Sequence, residues 1–345
     1  MTDTAPSASY QKAAFTAVVA TVGAVLFIAL GIPAGPILGA MILVAIVALA
    51  GFPTGFPPVV RAPQLAIMGI AAGTTITPAT VAVAAAWPLS IVALLLSTIL
   101  MQATGYLVLR RLGTFDPVTA FLAAAPGSLS AVLVLAEEQG ADVPRVAIPQ
   151  TIRVSGIVAL TPLLLTHAPT PVWADGPAML HGSPAWAVLV AASFAGWLLA
   201  RWLRWPLPPF LGCLVGSGIV HVLGIVSLRL PYMVVMIALI GLGGVIGSRF
   251  SGLRPKDVVA LIPVSFALMA TTAAIGGTTG VVVGHLLGIG ALPGLLAFAP
   301  GSMEMMISIA VTLHIQPAYV AAHHITRNLL LLSAVPILSR KLYRR

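Results

Sequence analysis

Ala125-Pro126-Gly127-Ser128 sits inside a hydrophobic stretch and returns as Ala299-Pro300-Gly301-Ser302, 174 positions later. At the same offset Arg153 meets Arg327 and Pro162 meets Pro336. Between 121–154 and 295–328, ten of 34 gap-free positions are identical. Such a match indicates a tandem duplication, each half carrying a helix-breaking element and, soon after it, an arginine. Proline removes a backbone donor and clashes with the preceding turn, while glycine permits positive φ. Duplicated halves with interrupted apolar helices point to a secondary transporter.

Composition leads independently to a membrane. The 345 residues are 59% hydrophobic and 7% charged, with a mean hydropathy of +1.08. A soluble fold of this size could not cover its surface with so few charges. The net charge of +9 comes from 17 basic residues spread in small clusters between apolar segments. That pattern marks cytoplasmic loops rather than a nucleic-acid interface. One cysteine, Cys213, excludes an internal disulfide and a cysteine-based metal cluster. Lys12 followed by 13–30 imitates a signal peptide, but the equivalent segment of the second half argues for a retained first helix.

Apolar spans are expected at about 12–30, 36–50, 65–82, 86–109, 117–136, 145–166, 186–203, 207–222, 231–248, 257–284, 291–313 and 318–339. If all twelve cross, nine basic loop residues fall on one side and six on the other. If both Pro-Gly-Ser segments enter the membrane and return, fourteen fall inside and only Arg229 outside. The positive-inside rule favours the second arrangement. It leaves five crossings per half, an odd number, so the repeats are inverted. The fold expected is therefore an all-α integral membrane protein of two inverted five-helix repeats, each with an interrupted or re-entrant Pro-Gly-Ser segment. The repeats are placed at 12–166 and 185–340, with the inter-repeat loop at 167–184.

The candidate binding residues cluster at these breaks. Ser128 and Ser302 are placed to cap the following helices, whose first N–H groups and positive dipole ends suit an anion. Gly127 and Gly301 give the breaks access to positive φ. Arg153 and Arg327 are costly within a membrane and must be paired or face an aqueous cavity. Two readings stay open: guanidinium forks that hold a carboxylate-like anion, or structural forks that bind carbonyls of the interrupted segments. Asn328 adds a further polar contact. Glu304, whose counterpart is Ser130, could bind sodium, carry a coupling proton or neutralise Arg327. His323 and His324, which replace Pro149 and Gln150, are candidates for proton coupling or simple hydrogen-bonded packing.

The paired motifs at 125–128 and 299–302, with Arg153 and Arg327, resemble the bacterial AbrB-type membrane protein family. That family is built from an internal duplication and covers essentially all of the chain beyond the first dozen residues. Its members carry labels such as ammonia monooxygenase or AbrB family regulator. The repeat plan is also distantly similar to symporters of the glutamate, citrate and bile-acid type, where inverted five-helix repeats bring Gly-rich interruptions together. Here each motif keeps one glycine, so no substrate carries over.

The leading expectation is a secondary transporter of a small, anionic metabolite, coupled to protons or sodium, working by alternating access. It would be a multi-pass protein of the bacterial inner membrane, surrounded by lipid and compatible with a homodimer, with no nucleic-acid partner and no cofactor. The alternatives are a membrane-embedded sensor that regulates gene expression and, further off, a monooxygenase. Enzymatic activity is not expected, since oxygen activation requires a metal or flavin.

Overall fold

The computed structural model describes residues 6–32, 34–76, 78, 82, 84, 87–127, 129–164, 184–205, 207–313 and 315–343. Among these residues the ordered elements are helical and no strand occurs. The first half runs α1 (Pro6–Ala29), α2 (Gly35–Leu49), α3 (Pro58–Gly73), α4 (Trp87–Leu112), α5 (Pro117–Ala124), α6 (Leu129–Glu138) and α7 (Val143–Leu164). The second runs α8 (Pro184–Trp202), α9 (Pro208–Val222), α10 (Tyr232–Gly247), α11 (Pro255–Leu286), α12 (Ala291–Phe298), α13 (Met303–Thr312) and α14 (Pro317–Tyr343). The expected inter-repeat loop and Ser128 lie outside the described residues.

The helices of the two halves pair in order. α5 and α12, and likewise α6 and α13, begin and end 174 positions apart. α2 and α9 are both 15 residues long and lie 173 apart, so the register slips by one before α10. The residues entering α2 and α9, Ala34 and Leu207, both adopt left-handed backbone, at φ 53 and 48. Strain of this kind at one non-glycine position is uncommon. Its recurrence at matching positions follows the repeat.

Several helix starts are set by proline, whose missing N–H is one the first turn leaves unpaired in any case. Pro58, Pro117, Pro255 and Pro317 all stand at the first helical position. Asp116 completes the start of α5, its carboxylate accepting from the N–H groups of Val118 and Thr119 at 3.0 and 2.9 Å. The span expected at 65–82 is corrected here. The helix starts at Pro58 and stops at Gly73, where the hydroxyls of Thr74 and Thr75 bond back to the carbonyls of Ala71 and Ala72.

Among the described residues five helices are long and apolar enough to cross a membrane: α1, α4, α8, α11, and α10 with its short extension Ser248–Phe250. α2, α3 and α9 are apolar but only 15–16 residues long. At 1.5 Å per residue each spans about 23 Å, less than the ~30 Å hydrocarbon layer. Large apolar side chains face outward on the long helices, Leu96 at 63% and Ile237 at 62% exposure. An outer surface of this kind suits lipid rather than water.

The chain divides into two compact units. One gathers α1–α3, α8–α10 and residues 307–318; the other gathers α4–α7, α11, α12, the start of α13, and α14 from Tyr319 onward. In the first unit, glycines let backbones touch. A Cβ at Gly23 would lie 2.2 Å from the Gly39 carbonyl oxygen, and one at Gly196 would lie 2.2 Å from that of Gly212. The contacts are reciprocal between halves: Gly69 of α3 abuts the Phe210 carbonyl of α9, while Gly243 of α10 abuts the Ile37 carbonyl of α2. Between apolar helices in lipid, such close packing replaces the hydrophobic drive available in water.

In the second unit, α11 passes α12 in the same manner, with Gly276 against the Phe298 carbonyl and Gly280 against Gly294. Gly105 of α4 makes room for Ala124 at the end of α5. Residues Leu122–Ala125 are fully buried with Phe115, Val146 and Leu268.

We predict that Gly23→Leu and Gly196→Leu each force α1 from α2 and α8 from α9, costing about 1–3 kcal/mol or more. Size-exclusion chromatography after heating should show loss of the monodisperse peak at lower temperature. Val22→Leu, at an exposed position, should leave it unchanged.

Candidate functional site

Proline dictates where the two short helices end. The residue before a proline is driven out of the α region, and Ala125 and Ala299 adopt nearly the same extended backbone, with φ/ψ of −58/118 and −55/132. The helix therefore stops at Ala124 and again at Phe298, and a new helix starts at Leu129 and at Met303. Neither Gly127 nor Gly301 uses left-handed backbone, contrary to one expectation from sequence. Gly127 instead packs closely: a Cβ there would meet Leu331 Cδ1 of α14 at 3.1 Å, and that side chain would have to give by a few tenths of an ångström.

A helix that stops in the protein interior leaves carbonyls without partners. Two side chains three apart on one helix face supply them in each half. On α7, Gln150 Nε2 donates to the Leu122 carbonyl at 2.8 Å, and Arg153 Nη1 and Nη2 donate to those of Ala124 and Ala125 at 2.9 and 2.8 Å. On α14, His324 Nε2 donates to the Leu296 carbonyl at 3.0 Å, and Arg327 Nη1 and Nη2 donate to those of Ala299 and Gly301 at 2.7 and 3.3 Å. Gln150 and His324 stand at the repeat offset and do one task with different chemistry. Arg327 Nη2 also donates to His324 Nδ1 at 2.8 Å. A carbonyl can only accept and a guanidinium can only donate, so these two partners fix His324 as the neutral Nε2–H tautomer.

Both arginines are sealed from solvent, at 0% and 1% exposure. Of the two readings left open by sequence, the carbonyl-binding one describes where their Nη groups are spent. Each Nε remains buried without a hydrogen-bond partner. The two guanidinium groups also lie within range of each other's field. The negative ends of α5 and α12 offset that repulsion, since cations at helix C-termini are stabilised.

The two breaks differ on the far side. Glu304 lies in the first turn of α13 and accepts a hydrogen bond from the Ser302 hydroxyl. The second helix start therefore carries its own anion. The first turn of α6 has no acidic residue, Ser130 standing where Glu304 would be. Asn328 reaches Met303 at the head of α13, Nδ2 to Sδ at 3.6 Å. Beside the first break a pocket of about 310 Å³ is lined by Ala125, Gly127, Val132, Leu331 and Val335.

His323 faces elsewhere than His324. Its Nδ1 donates to the Tyr319 carbonyl at 2.8 Å, and its Nε2 meets the Ser90 hydroxyl of α4. Ser90 in turn lies 2.6 Å from the Tyr319 hydroxyl. With Nδ1 protonated, the chain runs from Tyr319 O–H to Ser90 Oγ and from Ser90 O–H to His323 Nε2. All three side chains are fully buried, with Trp87 edge-on to Tyr319 and Phe298 beside the imidazole. Sequence reasoning missed Ser90, Tyr319 and Gln150. The i,i+4 spacing of Tyr319 and His323, and the 174 offset of Gln150 from His324, were the available signals.

We predict that Gln150→Leu or His324→Leu strands a buried carbonyl and lowers stability by about 1–3 kcal/mol. Gln150→His and His324→Gln, which keep a donor, should lose much less. Melting temperatures of the four purified variants separate these outcomes.

Comparison with known proteins places this geometry in a family. The chain matches the family described as "Transition state regulatory protein AbrB" over residues 37–343. It is 31% identical over 270 residues to "Uncharacterized protein YhjN" of Bacillus subtilis (strain 168), covering 73% of this chain and 70% of that one. It is 26% identical over 336 residues to "Putative regulator AbrB" of Escherichia coli (strain K12), covering 91% of each. No solved structure matches it. The chain, with its two pinned breaks, belongs to the AbrB family.

Proposed function

We propose that the chain is a multi-pass protein of the bacterial cytoplasmic membrane that carries a small anionic metabolite across by alternating access, coupled to protons or sodium. The observation that carries this reading is the pair of helix breaks in one unit, each held by a buried arginine. Irregular backbone at membrane depth is a recurring feature of carriers, where broken helices bind substrate and coupling ion. The reciprocal glycine contacts, with the charge bias that favours five crossings per half, support inverted repeats at 12–166 and 185–340. A homodimer is compatible with this plan.

The asymmetry of the breaks assigns the roles. The two breaks carry two buried guanidinium groups and one carboxylate between them, a surplus of positive charge that an anion would offset. The anion belongs at the first break, where the first turn of α6 carries no acid, and its apolar body belongs in the pocket beside Gly127, with Ser128 a candidate contact on sequence grounds. Glu304 with Ser302 is the place for sodium or a proton. The Tyr319–Ser90–His323 chain is a second route for a proton, because its hydrogen bonds can reverse when His323 accepts one. Transport ranks ahead of the regulatory role in the E. coli relative's name, because a broken, pinned helix pair is what a carrier requires. No enzymatic step is proposed.

The test is a thermal-shift screen of detergent-purified protein with small mono- and dicarboxylates, with and without sodium and across pH. A ligand at a hundredfold excess over its Kd stabilises by about 2.7 kcal/mol. We expect a carboxylate to raise the melting temperature, Arg153→Gln, which removes the charge but keeps a donor, to remove that response, and Glu304→Gln to remove its dependence on sodium or pH while keeping anion binding. If no anion shifts the melting temperature, but a cation or a partner protein does, the carrier reading fails and the sensor reading takes its place.

A further inference from the structure

Along α4 and α14 a groove of about 650 Å³ remains open, bounded also by Phe121 of α5. Ser90 of α4 contacts Tyr319 and His323 of α14. Further along, Thr98 to Tyr106 of α4 and Leu330 to Leu338 of α14 line the two walls. The helices therefore run in the same direction, and both end in basic sequence: Arg110 and Arg111 close α4, and Arg340 and Lys341 lie in the last turn of α14. Arg110 and Arg111 are exposed, although Arg110 Nη1 also donates to the Phe115 carbonyl at 2.6 Å.

We infer that this groove binds one anionic phospholipid, an acyl chain lying between α4 and α14 and the headgroup at Arg110 and Arg111. Three observations support it. The groove opens outward, with Ile99 at 59% and Leu338 at 46% exposure, on a helix pair whose α4 is long and apolar enough to cross a membrane. Its wall donors Thr98 Oγ1 and Gln102 Nε2 are spent on the Leu94 and Phe121 carbonyls, while Gln102 Oε1 is buried without a partner. An acyl chain asks for no hydrogen bond there. The dimensions also agree. From Thr98 to Tyr106 the helix rises about 12 Å, close to the ~15 Å depth of one hydrocarbon leaflet, and Arg110 lies about 6 Å beyond. The exposed guanidinium groups of Arg110 and Arg111 at that level meet phosphate, and basic residues flanking a crossing are the usual recognition element for anionic lipid. A second copy of the chain would bring its own basic ends to the same place and be repelled. The inference does not depend on what the protein carries.

The experiment is native mass spectrometry of the detergent-purified full chain titrated with phosphatidylglycerol or with phosphatidylcholine of identical acyl chains. We expect one phosphatidylglycerol retained per chain, with phosphatidylcholine held about tenfold more weakly or worse. Ala334→Trp should fill the groove and abolish retention of both. Arg111→Gln should narrow the difference between the two lipids. Ala103→Leu, a smaller filling from the α4 side, should weaken retention and covers the case in which the tryptophan variant fails to fold. Equal retention of the two lipids would overturn the proposal. So would wild-type retention by a folded groove-filled variant, or a dimer that forms through this face in place of lipid.

Discussion

A helix that stops inside a membrane protein leaves carbonyls that water cannot reach, and the chain meets this constraint twice with the same device. Each unpaired group in such a setting costs several kcal/mol. The fork of an arginine supplies two donors at fixed spacing, and a neutral donor one turn earlier supplies a third. A cation also suits the negative end of the helix it closes. Much of the second unit follows from this arrangement. α7 and α14 must lie across the breaks, the glycines of α11 must admit α12, and Gly127 must admit Leu331.

Duplication let the scaffold stay symmetric while the chemistry diverged. Arg153 and Arg327 are retained, and Gln150 and His324 perform one task. The replacements that matter are Ser130 by Glu304 and Pro149 by His323. The first places a carboxylate at only one of two equivalent helix starts. The second introduces an imidazole that Ser90 and Tyr319 can engage. Proline could not have filled that position in such a chain, since it offers neither donor nor acceptor in its side chain.

The breaks and their arginines were legible in the sequence because proline and a membrane arginine are both local, costly choices. Their repetition at one offset removed accident as an explanation. The helical character, with helices apolar enough to cross a membrane, was legible from composition. What sequence hid was everything decided by tertiary contact. α3 looked like the apolar run 65–82, but its limits are set by Pro58 and by the threonine hydroxyls at 74 and 75. The glycines of the motif suggested backbone freedom, whereas their use is close approach. Ser90 carries no signal of its own, because a serine in an apolar helix most often bonds its own backbone. Only the folded chain brings it to His323.

The engagement of the arginines also constrains how an anion could be held. A guanidinium with both Nη groups on carbonyls cannot offer its fork to a carboxylate without first releasing a helix end. Its Nε–H and its charge remain. The two buried guanidinium groups repel one another across a low-dielectric interior, where such terms are strongest. The carbonyl dipoles that the arginines engage balance part of that repulsion, and the first turn of α6 has no carboxylate to balance the rest. An anion entering there would be favoured by the field of both arginines rather than by a bidentate contact with either. Selectivity would then come from size and from the apolar pocket beside Gly127, and the breaks would keep their clamps while the ligand comes and goes.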